Sequence, residues 1–176
     1  MDADEIREWS DRYDEVYDDD LRAIEERLHE ALADQGYITR EQLADVVRWK
    51  LNGQAGRRDR NVEQVRSVPD AFVRRVSEAA LLVDDPTLQL KTLRSIPGIG
   101  GSTATVVLMF YDPETYAIGD RYIVHEFFGE DRGMRVTDYP KILAELRDRN
   151  PGDFDLRTVE KAYYQRYRVE NDVGNW

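Results

Sequence analysis

Residues 93–128 read LRSIPGIGGSTATVVLMFYDPETYAIGDRYIVHEFF. Within them Ile96–Ala104 is IPGIGGSTA, and its residue types prescribe a turn between two helices. Pro97 fixes the entry, while Gly98 and Gly100 admit backbone angles and close approaches that a side chain would resist. Ile99 between them is an apolar pin for the turn. A helix follows at once, from Ser102 to about Tyr111, apolar almost all round and therefore expected at the centre of the fold. Its first amides lack partners within the helix and point back towards the turn. Such N–H groups suit an anion, most simply a phosphate, and no acidic residue lies between 86 and 111 to oppose one. A tight helix–turn–helix link that binds nothing is the other reading of these residues.

The pattern outside this segment is helical nearly everywhere. Ile6, Trp9, Tyr13, Val16 and Tyr17 share one face of a first helix, and Leu21, Ile24, Leu28 and Leu32 one face of a second that Gly36 ends. Thr39 and Gln42 form a capping box for a third, with Leu43, Val46, Val47 and Leu51 inward and Asn52-Gly53 as its stop. Residues 53–60 (GQAGRRDR) read as an exposed loop. Ser67 before Pro69 opens a helix carrying Phe72, Val73, Val76 and Ala80, and Asp85-Pro86 caps a short one to about Arg94. Beyond Asp120 come a helix with Tyr122, Ile123 and Phe127, and two more over about 138–149 and 155–169. No strand alternation, repeat or low-complexity tract interrupts them, so the fold class is all-α.

The chain has 176 residues, with 36 acids against 25 bases and a formal charge of −11. With no cysteine, disulfides and thiolate metal sites are excluded, and two distant histidines, His29 and His125, make a poor metal site. No apolar run approaches the roughly 20 residues of a membrane span, and MDADEIREWS lacks a secretory pattern, which places the protein in the cytoplasm. The bases are 21 Arg and 4 Lys, the acids 21 Asp and 15 Glu. That balance resembles proteins of salt-accumulating halophiles; an ordinary acidic protein is the alternative. Charge is also unevenly placed: residues 1–34 hold 14 acids and 4 bases, whereas residues 40–75 hold 9 bases and 5 acids. Within the basic stretch Arg48, Lys50, Arg57, Arg58 and Arg60 are candidates for tracking a phosphate backbone, with Trp49 either a stacking platform or a core residue. Tyr163, Tyr164 and Tyr167 have core spacing.

The segment resembles the helix-hairpin-helix motif and following aspartate loop of the base-excision DNA glycosylase superfamily that includes endonuclease III. Leu93, Ile96, Pro97, Gly98, Ile99, Gly100, Thr103 and Ala104 carry the likeness, over about 36 residues. The resemblance implies DNA as partner, its phosphate held by hairpin amides around Gly98, Ile99, Gly100, Gly101, Ser102 and Thr103. It implies no cofactor beyond a monovalent cation at the hairpin carbonyls. It assigns Asp120 as the catalytic carboxylate, which would stabilise the sugar cation as a flipped base leaves and activate water. Family members that also cleave the strand carry a lysine where this chain has Ser102, so base removal without lysine-type strand cleavage is implied.

Read alone, Gly-Asp before an apolar helix is equally an N-cap, and the two roles are compatible. The expected arrangement is two-lobed: residues 20–113 in one lobe, residues 1–19 with 114–176 in the other. Asp120 should lie in the cleft between them, with Gly98, Gly100 and Ser102 at its rim and Arg57 and Arg58 along the DNA path. Two alternatives differ in class: a helix-hairpin-helix DNA-binding module without catalysis, and a helical protein-interaction domain. Cover of Gly98–Gly100 by the acidic first two helices would favour the last.

Overall fold

The computed structural model describes residues 1–173, and among these it is all-helical, with no strand. Ten α-helices follow in order: α1 (Ala3–Glu15), α2 (Asp19–Gln35), α3 (Arg40–Lys50), α4 (Ala55–Arg66), α5 (Asp70–Leu81), α6 (Pro86–Leu93), α7 (Gly101–Tyr111), α8 (Arg121–Phe128), α9 (Tyr139–Asp148) and α10 (Leu156–Glu170). None is long and apolar enough to cross a membrane.

Local chemistry sets the ends. Asp2, Asp18, Asp85, Asp120 and Asp155 each turn a carboxylate onto the first amides of the helix that follows. Thr39 and Gln42 close the capping box of α3, and Gly36 ends α2 in the left-handed conformation at φ 65°. The apolar helix α7 is central: Thr103 through Phe110 are all buried. α2, α3 and α6 pack on it, while α1 runs along α10, which also meets α8 and α9.

Three readings of the sequence need correction. Residues 53–60 are not a loop. After Gly53, at φ 79°, the chain enters α4, in which Val62 and Val65 are buried and so repay the ordering of an Arg-rich first turn. Ser67 ends α4 instead of opening a helix, and α5 starts at Asp70 with Val73, Ser77 and Ala80 inward. Phe72 and Val16 are exposed: the buried stripe of α5 passes through Val73 and Ser77, one residue off Phe72, and α1 ends before Val16. Trp49 is buried edge-on between Tyr17 and Phe110, at ring separations of 6.3 and 5.2 Å, and offers no stacking face to a nucleobase.

Candidate functional site

The link from α6 to α7 is held tightly from behind. Ile99 is buried in the core, and its amide donates to the Ile96 carbonyl at 3.2 Å. Gly98 adopts φ 87°, and a Cβ there would lie 2.5 Å from the Asn61 carbonyl oxygen of α4. Only glycine satisfies both the angle and the approach. Pro97 and Gly100 stay exposed, and the turn leans on α4, away from the acidic α1 and α2. The cover that would have favoured the protein-interaction reading is not seen at Pro97 and Gly100. Gly100 is the N-cap of α7 and supplies no side-chain acceptor, so the first amides of α7 have no side-chain cap.

Thr105, on α7, accepts a hydrogen bond from the Gly119 amide at 3.0 Å, which ties the residue before Asp120 to the helix that begins at the turn. A Cβ at Gly119 would meet the sulfur of Met134 at 2.2 Å, so any larger residue here would displace that side chain. Asp120 then caps α8: Oδ1 accepts from the amides of Tyr122 at 2.9 Å and Ile123 at 3.2 Å. Its other oxygen, Oδ2, accepts from Lys50 Nζ at 3.1 Å. Lys50 is the last residue of α3, and both side chains are mostly enclosed, 13% and 12% exposed.

This pair lies in a cleft of about 580 Å³. Its walls are the end of α3 with residues 51–54, Arg57 of α4, Ser102 and Thr103 of α7, Asp120–Tyr122, and Tyr164 and Arg168 of α10. Among the described residues the charged lining is one carboxylate, Asp120, with Lys50, Arg57, Arg121 and Arg168. Of the residues expected at the site, Asp120, Ser102, Thr103 and Arg57 are brought together. Gly101 opens α7 beside Met134, whereas Gly98 and Ile99 face α4 and the core. Arg58 points elsewhere and pairs with Asp59 at 3.0 Å.

Beneath the cleft is a polar interior that the helical pattern concealed. Arg157 is buried, donates to Tyr13 at 3.0 Å and to Glu25 at 3.3 Å, and pairs with Glu160. Burial would depress the Arg157 guanidinium, but Glu25, Tyr13 and Glu160 outweigh it and hold the charge in place. Burial raises the Glu160 carboxyl against the pull of Arg157, and the negative charge of Asp120 adds to the rise. The Tyr164 phenol is pushed up by burial and then by Asp120. A cavity of about 10 Å³, room for one water, lies among Lys50, Asp120, Glu160 and Tyr164. Asp120 is thus wet on the cleft side and backed by a charged wall.

The sequence offered Lys50 only as one of several bases along a phosphate backbone and Tyr164 only as core, and did not place either beside Asp120. A signal existed for the first: position 50 is one turn beyond the buried Val46 and Val47, so its stem starts from the inward side of α3. Among the described residues no group of three or more His, Asp or Glu side chains is placed to hold a metal ion. Compared with known proteins, the chain matches no family model, no curated protein and no solved structure.

Proposed function

We propose that the chain binds DNA at the cleft and acts there as a glycosylase-like base-excision protein. The observation that carries this reading is Asp120, in a cleft whose other charged side chains among the described residues are cationic, beside the uncapped start of α7. The cations and the α7 amides would take the phosphates on either side of a flipped nucleotide. Asp120 would face the sugar, stabilising positive charge at C1′ as the base departs and orienting the water that attacks. The volume suits one nucleotide, and the half-buried Tyr122 ring in its wall supplies apolar surface for a base or sugar.

A second reading has its own support. Both oxygens of Asp120 are already engaged, Oδ1 by two amides and Oδ2 by Lys50, which is what a cap and a structural ion pair require. In that case the chain is a DNA-binding module without catalysis. An assay of base release against a panel of damaged duplexes, in molar KCl, decides between them. Release by the wild type that Asp120→Asn abolishes supports the enzyme. Duplex binding with no release on any lesion leaves the module, and failure to bind any duplex removes both.

A further inference from the structure

Lys50 is a primary amine that the fold brings from the end of α3 to the carboxylate opening α8, seventy residues away, inside the principal cleft. Three observations make it more than a surface ion pair. Its side chain is 13% exposed, so the charge is placed at an energetic cost that a solvated lysine avoids. It lines both the cleft and the small cavity behind Asp120. Of the four lysines in the chain it alone lines the cleft.

We propose that Lys50 is the amine that attacks the abasic sugar left after base removal, giving this chain a strand-cleaving activity although Ser102 occupies the hairpin position. The inference rests on the glycosylase-like reading above. The chemistry closes on the two residues present. Base removal leaves a sugar whose ring-opened form carries an aldehyde at C1′. The Lys50 ammonium passes one proton to Asp120 Oδ2, and the freed amine adds to the aldehyde carbon. A second proton moves from nitrogen to the former carbonyl oxygen, Asp120 returns the first, and water leaves, producing an iminium with one hydrogen on nitrogen. Asp120, a carboxylate again, can take the C2′ proton; the electron pair moves into the C1′–C2′ bond system and the C3′–O bond breaks with departure of the phosphate. Hydrolysis of the imine restores Lys50. No oxidant or other co-reactant enters.

The test uses the full chain in molar KCl with a duplex holding one preformed abasic site, so that no damaged base has to be recognised. Sodium borohydride reduces any imine to a stable secondary amine, read as a covalent protein–DNA band and mapped by peptide mass spectrometry. The expected result is an adduct on Lys50, reduced about a hundredfold or more in Lys50→Arg. Lys50→Arg keeps the positive charge, and abasic-duplex binding measured beside trapping reports whether the loss is one of chemistry or of binding. Lys141→Arg, on the exposed side of α9, should trap normally. Mapping on the wild type keeps the test decisive even where a variant is poorly folded. An adduct that maps to another amine, or base release and abasic-site binding without any adduct, overturns the role of Lys50 and leaves the glycosylase-like reading intact. Failure to bind the abasic duplex together with no base release sinks that reading and this inference together.

Discussion

The Lys50–Asp120 contact can be weighed by replacing its halves separately, because the two ends are supported unequally. Asp120→Asn keeps an acceptor for the Tyr122 and Ile123 amides, so the cap of α8 survives almost unchanged. What it loses is the negative partner of an ammonium that is 13% exposed, and an uncompensated buried charge of this kind costs about 3 kcal/mol, the lower end of the usual range because Glu160 is near. Lys50→Met is milder, since Asp120 keeps both amides and loses a single donor, at about 1–2 kcal/mol. The double variant buries no charge at the contact and should return to within about 1.5 kcal/mol of wild type. The cycle then closes with a coupling of about 3 kcal/mol. Urea unfolding followed by far-ultraviolet circular dichroism, at one fixed KCl concentration, measures all four proteins. If the two single effects add to within about 0.5 kcal/mol of the double, the contact carries no energy and the site as described here is wrong.

Four further outcomes follow from other residues. Gly98→Ala forces a Cβ towards the Asn61 carbonyl at 2.5 Å from a left-handed backbone, and a thermal melt should show a loss of about 2 kcal/mol or more. Arg157→Met leaves Glu25 and Glu160 facing one another without their shared cation, and chemical unfolding should register about 3–5 kcal/mol. Asp138 has its carboxyl held below the ordinary 3.8 by the Arg132 guanidinium and the Arg135 amide, so it contributes stability that is present above that value and lost as the pH falls through its folded pKa. Acid titration of stability should therefore be flatter below about pH 4 in Asp138→Asn than in wild type. Arg57→Glu, in the cleft wall, should weaken duplex binding at least about tenfold and reduce the salt slope by about one, while Arg58→Glu, already paired with Asp59, should do little in the same titration.

Much of the fold was legible because it rests on local rules. The Thr39–Gln42 box, the left-handed Gly36, the Asp85-Pro86 start and the all-round apolar α7 each follow from a few neighbouring residues and are found where they were expected. α4 was not legible because Gly53, Gly56 and four charged residues dilute its first turns, and only Val62 and Val65 mark an inward side. The site was half legible. Asp120, Ser102 and Thr103 lie in or beside one distinctive segment, whereas Lys50 and Tyr164 arrive from α3 and α10 through tertiary packing. α10 shows why: beside the apolar face of Leu156, Val159 and Tyr163 it carries Arg157, Glu160 and Tyr164 at spacings of three and four, a second stripe that is also buried. A polar stripe reads as a solvated face until another element is known to lie on it.

The distribution of charge bears on how such a protein would hold DNA. A net charge of −11 should repel a polyanion, yet none of the acids in residues 1–34 lines the cleft, where four cations surround one carboxylate. Near molar salt those cations would contribute little long-range attraction, because the screening length shrinks to a few ångströms. Each phosphate contact made by counterion release would weaken for the same reason. Contacts that survive are short and directional: the uncapped amides at the start of α7, fixed by the Gly98 approach to α4, and groups already enclosed, as Lys50 and Asp120 are. At such salt the acidic outer helices would keep the surface hydrated, while the enclosed polar cleft would hold its contacts out of reach of screening ions.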